Sequence, residues 1–121
     1  MAIQILLVDD DAEVLRMCAA ALGESGYLVF TAGSAIEALL MELTGFDLVV
    51  SDFSMPGMNG LELLREVRKK NSRCGFVLMS SGVGDIELEA LKKAGRAQYI
   101  KKPFTIDLLL ETINAFESGP F

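Results

Sequence analysis

The sequence contains no histidine. The commonest general base and the commonest zinc ligand are therefore missing, and no phosphohistidine can form within this chain. Tryptophan is absent as well, and the two cysteines, Cys18 and Cys74, lack metal or redox spacing and read as packing residues. No apolar run approaches the roughly 20 residues of a membrane span. The start, Met1-Ala2-Ile3-Gln4, lacks the basic flank and cleavage site of a signal peptide. No membrane insertion and a cytoplasmic location are the resulting expectations. Positive charge is also scarce: 11 Lys and Arg stand against 17 Asp and Glu, a net charge of -6. That balance argues against direct nucleic-acid binding, which depends on neutralising phosphates.

What remains is a chain of 121 residues, half of them hydrophobic, which suits one domain with a sizeable core. Apolar runs at 3–8, 27–30, 48–50 and 76–79 read as strands, and 98–101 reads as the last strand. Helical patterns follow each of them. The first helix runs to about Ser25, capped by Asp11 or a neighbour, with Val14, Leu15, Cys18 and Leu22 on one stripe. Ser34-Ala35-Ile36-Glu37 reads as a capping box, and Ile36, Leu39, Leu40 and Leu43 continue at helical spacing until Gly45. The third helix spans 60–71, with Leu63, Leu64 and Val67 inward and Arg65, Arg68, Lys69 and Lys70 outward. Two further helices occupy about 85–94 and 105–117. Five strand–helix units in alternation predict an α/β fold, a mainly parallel sheet with helices on both faces.

The stretch 47–60 organises the rest. Leu48, Val49 and Val50 predict a strand buried on both faces, running straight into Asp52, with Pro56, Gly57, Asn59 and Gly60 as loop residues behind it. A carboxylate at the C-terminal end of such a strand lies where open α/β sheets place their ligands. The same edge should collect Asp9 and Asp10, Ser80 and Lys102, each of which follows a predicted strand. Two carboxylates at 4 Å repel by roughly 4 kcal/mol at an effective dielectric of about 20. A divalent cation offsets that repulsion, and Mg²⁺ prefers oxygen ligands. Carboxylates, Mg²⁺, a lysine and a hydroxyl are the parts needed for phosphoryl transfer to a carboxylate nucleophile. Taken singly, each residue has a plainer reading: turn former or cap for the aspartates, turn residue for Ser80, solvated side chain for Lys102. Their coincidence on one sheet edge carries the inference.

Leu7-Val8-Asp9-Asp10-Asp11, Asp52 with Met55-Pro56-Gly57-Met58-Asn59-Gly60, Ser80, Tyr99 and Lys102-Pro103-Phe104 together resemble the receiver domains of two-component response regulators, the chemotaxis regulators among them. The resemblance covers essentially the whole chain. It implies a flavodoxin-like (βα)5 three-layer sandwich with sheet order 2-1-3-4-5, a receiver domain over 1–118 and a C-terminal tail at 119–121. It implies Asp52 as phosphoacceptor, served by a partner sensor histidine kinase or histidine phosphotransfer protein. Mg²⁺ would be held by Asp9, Asp10 and Asp52 with the backbone carbonyl of Ser54, Asp10 being the preferred direct ligand over Asp9. Lys102 would pair with phosphoryl oxygens, Ser80 would turn to them, and Tyr99 would change rotamer with Ser80. Ser80 is preferred to Ser81 because it directly follows the fourth strand and stands 22 residues before Lys102. The Lys102–Pro103 bond is expected to be cis.

The signal would emerge on the fourth helix, last strand and last helix, where Leu108, Leu109 and Leu110 cannot all face inward and Leu88 is a candidate neighbour. Such a face would suit a phosphorylation-dependent homodimer, an effector domain or an output protein. Gly82-Val83-Gly84 makes the loop after Ser80 permissive, so it and the start of the fourth helix are expected to move in the unphosphorylated protein. The chemistry predicted is that of a switch, limited to self-catalysed phosphotransfer and autodephosphorylation. Three other classes compete. A haloacid-dehalogenase-type phosphatase would want a second Asp where Ser54 stands. An FMN carrier would want a hydroxyl-rich loop where Asp9, Asp10 and Asp11 would repel phosphate. A docking module without phosphorylation would have no use for the intact acid set.

Overall fold

Leu48–Asp52, buried along its whole length, forms the central strand of a five-stranded parallel sheet. The computed structural model describes residues 2–118, so the predicted tail at 119–121 lies outside the described residues. The strands are β1 (Gln4–Val8), β2 (Leu28–Ala32), β3 (Leu48–Asp52), β4 (Gly75–Ser80) and β5 (Ala97–Lys101), in the order β2-β1-β3-β4-β5. The helices are α1 (Ala12–Glu24), α2 (Ala35–Leu39), α3 (Gly60–Lys70), α4 (Asp85–Ala94) and α5 (Ile106–Ser118), with a short 3-10 turn at Leu43–Gly45. This is the flavodoxin-like order expected from the resemblance. In register, Val8 lies beside Ser51, Asp52 beside Met79, and Ser80 beside Lys101. The residues that follow the strands therefore share one edge.

Two apolar layers sandwich the sheet, because strand residues point alternately to opposite faces. Leu6, Val49, Phe76 and Leu78 pack with Leu63, Leu64 and Val67 of α3 and Leu91 of α4. Ile5, Leu7, Val50, Val77 and Met79 pack with Cys18 and Leu22 of α1 and Leu109 and Ile113 of α5. Both cysteines are free and buried, as the packing reading expected. Asp11 caps α1 by accepting from the amides of Glu13 and Val14. Asn59 caps α3 in a reciprocal capping box with Glu62, both bonds at 2.9 Å.

Four local expectations need correction. β2 begins at Leu28 and runs to Ala32, not over 27–30. The second helix ends at Leu39, and its inward face is Ala35 and Ala38, while Ile36 and Leu40 are 57% and 84% exposed. Leu43 is still buried, but from the 3-10 turn. Ser34 accepts from the Glu37 amide as a cap should, yet the Glu37 carboxylate accepts from Gly33, one residue short of a full box. Finally, Arg68 does not face solvent. Its guanidinium donates to the carbonyls of Cys74, Ala94, Gly95 and Arg96.

These placements separate two readings of α2 by experiment. Leu40→Gln should change unfolding stability in urea by no more than about 0.5 kcal/mol, as an exposed site does. Leu63→Ala, which empties a fully buried position, should cost about 2–5 kcal/mol in the same assay. A large loss from Leu40→Gln would restore the original helical stripe.

Candidate functional site

The three consecutive aspartates after β1 have three different environments. Asp9 is 1% exposed, and its carboxylate accepts from the Asp11 amide at 2.9 Å and from Lys102 Nζ at 2.9 Å. Asp10 is exposed. Asp11 serves as the cap of α1. Asp52 ends β3, 7% exposed, with its Oδ1 3.3 Å from the same Lys102 Nζ. One lysine thus bridges the two buried carboxylates. Asp9, Asp10 and Asp52 each offer an oxygen, and these oxygens all lie within 4.8 Å of one another.

Backbone contacts hold this geometry. The Phe53 amide donates to Met79 O at 2.8 Å and so fixes the exit from β3, and the Gly60 amide donates back to Phe53 O at 2.9 Å. A Cβ on Gly60 would sit 2.6 Å from the carbonyl oxygen of Asp52. Only glycine lets the start of α3 close on the strand end this tightly, a role the sequence reading gave no sign of beyond a loop glycine. Lys102 is tied by its amide to Ser80 O at 2.8 Å, and the Lys102–Pro103 bond is cis, as expected.

Electrostatics follow from this packing. Burial, and then the neighbouring Asp9 charge, push the Asp52 carboxyl above its ordinary value, with Lys102 opposing them. For Lys102, burial disfavours the charge, but the hydrogen bond and charge of Asp9, together with Asp52, outweigh it and hold the ammonium above its usual range. At 4.8 Å, two unit negative charges such as Asp9 and Asp52 repel by about 3 kcal/mol at an effective dielectric near 20. A single ammonium cannot neutralise three carboxylates. The set is all oxygen and partly open through Asp10, which is the chemistry of a hard divalent cation site.

The remaining predicted residues surround this cluster. Ser80 is buried, and its hydroxyl donates to Gly82 O at 2.9 Å and accepts from the Gly82 amide at 3.1 Å. It is engaged with the loop that follows it. Tyr99 is half-buried, and its hydroxyl donates to Ser80 O at 3.0 Å. Ser54 is exposed in the loop after β3. A hollow of about 310 Å³, lined by Val14, Met17, Ser81, Lys102, Pro103 and Phe104, opens beside the cluster. No described helix is long and apolar enough to cross a membrane.

Comparison with known proteins agrees with this arrangement. The family model of the response regulator receiver domain matches residues 5–114. The chain belongs to that family. It is 38% identical over 112 residues to the sensor kinase CckA of Brucella abortus, covering 90% of this chain and 12% of the kinase. It is 37% identical over 118 residues to the regulatory protein VanRB of Enterococcus faecalis, covering 95% of this chain and 52% of that protein. The chain therefore spans about half, or much less, of the length of these curated relatives. Among solved structures, the non-phosphorylated HemR receiver domain of Leptospira biflexa is similar at 30% identity and a TM-score of 0.89, over 98% of this chain and 97% of that one.

The raised pKa of Asp52 sets the sign of a stability test. A carboxyl whose folded-state pKa is raised contributes stability that is complete below its ordinary value of 3.8 and is lost as pH rises through the folded value. In chelator, Asp52→Asn should therefore unfold at a temperature a few degrees higher than the wild type at neutral pH, the size of about 1 kcal/mol. The gain should shrink as pH falls toward 3.8. Lys102→Met should act oppositely, losing about 1–3 kcal/mol by stranding a buried charge. A destabilised Asp52→Asn protein at neutral pH would refute this electrostatic assignment.

Proposed function

We propose that this domain is a phosphorylation-dependent signalling switch, with Asp52 as the phosphoacceptor. The observation that carries the reading is a buried strand-end carboxylate bridged by Lys102 to Asp9, with Asp10 beside it. Because the chain has no histidine, the phosphoryl group must come from elsewhere, here from a phosphorylated histidine of a sensor kinase or phosphotransfer protein. An Asp52 oxygen attacks phosphorus, the O–P bond forms, and the P–N bond to the partner imidazole breaks. The imidazole leaves neutral when its other nitrogen carries a proton.

Asp9, Asp10, Asp52 and the backbone carbonyl of Ser54 are the groups that would hold Mg²⁺. When bound, the ion supplies charge neutralisation and a template for the phosphoryl oxygens. Lys102 contributes a fixed positive charge to the same oxygens, at the cost of loosening its bond to Asp52. Ser80 reads the new state by transferring its hydroxyl hydrogen bond from Gly82 O to a phosphoryl oxygen. Tyr99, bonded to the carbonyl of Ser80, follows it. The domain so described, residues 1–118 with a tail at 119–121, is a switch whose own chemistry is limited to phosphotransfer and autodephosphorylation.

Output is assigned to the α4–β5–α5 face. There Leu109 is buried, Leu108 is 44% exposed and Leu110 is half-buried, while Leu88 is half-buried and Ile86 stands out at 84% exposure. This apolar face suits a phosphorylation-dependent homodimer, an effector domain or an output protein. The apolar hollow over Val14, Met17 and Phe104 lies beside Asp52's lysine and suits the incoming kinase or phosphotransfer protein. A cytoplasmic setting fits such partners.

Intact mass after incubation with acetyl phosphate or phosphoramidate and Mg²⁺ is the direct check. A gain of about 80 Da, absent from Asp52→Asn and from samples with EDTA, is expected. No gain in the wild type, together with failure to bind beryllofluoride, would favour a docking module instead.

A further inference from the structure

Helix α4 is attached to the rest of the domain unequally at its two ends. Of its ten residues only Leu91 is buried. Between it and α3 lies a hollow of about 300 Å³ lined by Leu61, Leu64, Arg65, Arg68, Ala90 and Ala94, because α4 presents alanines where larger side chains would fill the gap. The C-terminal end is clamped all the same. Arg68 reaches over from α3 and donates from Nη1 to Ala94 O at 2.6 Å and from Nη2 to Gly95 O at 2.7 Å and Arg96 O at 3.2 Å. Its Nε donates to Cys74 O at 3.0 Å, which ties the clamp to the start of β4. A guanidinium suits this place twice: it presents a rigid fork of donors, and its charge complements the negative end of the helix dipole.

Among the described residues the N-terminal end has no comparable hydrogen-bonded clamp, and Val83 ahead of it is only half-buried against the apolar layer. Gly84 occupies the cap position and offers no side-chain hydrogen bond. The segment before it, Gly82-Val83-Gly84, is held to the strand end through the two hydrogen bonds between Gly82 and the Ser80 hydroxyl. That hydroxyl has one hydrogen to give. Donating it elsewhere releases the Gly82 carbonyl.

We propose that Arg68 is the pivot of α4: a positioning residue that fixes the C-terminal end, so that release of Gly82 by Ser80 lets the N-terminal end swing about it. The movement is thereby directional. Ile86 near the free end is displaced, and the Ala94–Arg96 corner leading into β5 stays in place. Its regulatory use rests on phosphorylation of Asp52 as proposed above; the unequal anchoring of the two ends does not.

Residue-resolved amide hydrogen exchange on the full chain tests the anchoring without any phosphoryl donor. Arg68→Met should speed exchange at 92–95 about tenfold or more, as loss of charge-assisted bonds implies. Exchange at 82–90, in the β3 amides and at 77–80 should stay within about twofold of wild type. Ser80→Ala should do the reverse, speeding 82–90 and leaving 92–95 unchanged. Equal acceleration at both ends of α4 in Arg68→Met, or none, would overturn the pivot. If Arg68→Met does not fold, Arg68→Lys, which keeps the charge and loses the fork, should show the same end-selective effect at smaller size, and wild-type protection in it would overturn the role of the fork. Beryllofluoride with Mg²⁺ then separates the two proposals. Its binding should alter 82–90 and spare 92–95, and an equal change at both ends would again overturn the pivot. Failure of beryllofluoride to bind would count against Asp52 as phosphoacceptor, while the variant comparison still decides the anchoring.

Discussion

The bridge from Lys102 to Asp9 and Asp52 is the contact on which the geometry of the site depends. It exists only because the sheet order sets β1 beside β3 and brings β5 to the far side of β4. Asp9 and Asp52 then become neighbours across a buried strand pair, and a long lysine side chain can span the end of β4 to reach both. The anchoring of the Lys102 amide to Ser80 O makes the same strand end the support of the lysine and of the Ser80 hydroxyl. Charge at Asp52, position of Lys102 and orientation of Ser80 are therefore coupled by direct contact, with Tyr99 one hydrogen bond further out.

The bridge is also incomplete compensation. Two buried carboxylates share one ammonium with an exposed third beside them, and burial first, then the neighbouring Asp9 charge, holds the Asp52 carboxyl above its ordinary value. Folding tolerates it because the strands beneath are buried on both faces and fix the strand ends regardless of the charges they carry. Functional sites commonly hold such unfavourable arrangements, with the stability supplied elsewhere. Here the elsewhere is identifiable: β3, β4 and the two apolar layers on either side of them.

How much of this could be read from the sequence depended on which physical signal each residue left. The central strands were legible because burial on both faces demands continuous apolar runs. Asp52, Lys102 and Ser80 are legible because each stands at the end of a predicted strand. The α2 stripe was misread because Ile36 and Leu40 outweigh Ala35 and Ala38 in any hydropathy pattern, although the small residues are the ones turned inward. Arg68 reads as solvent-facing because a basic residue in a basic helix end looks solvated, whereas its partners are backbone carbonyls, one 6 and three 26–28 positions away, that leave no side-chain pattern. The division of labour among Asp9, Asp10 and Asp11 also needed the structure, since three identical side chains carry no mark of which one is buried. The Asn59–Glu62 capping box, by contrast, had a readable spacing and was overlooked in favour of Ser34–Glu37.

The central proposal is that the negative charge collected at this sheet edge holds a divalent cation. Urea unfolding of the wild type with and without Mg²⁺, beside an Asp9→Asn, Asp10→Asn double variant, tests it most directly. A ligand that binds only the folded state raises its stability by linkage, by about 2.7 kcal/mol at a hundredfold excess over the dissociation constant. The expected result is a midpoint that rises with Mg²⁺ in the wild type and stays fixed in the double variant. A wild-type midpoint indifferent to Mg²⁺, or an equal rise in both proteins, would contradict it.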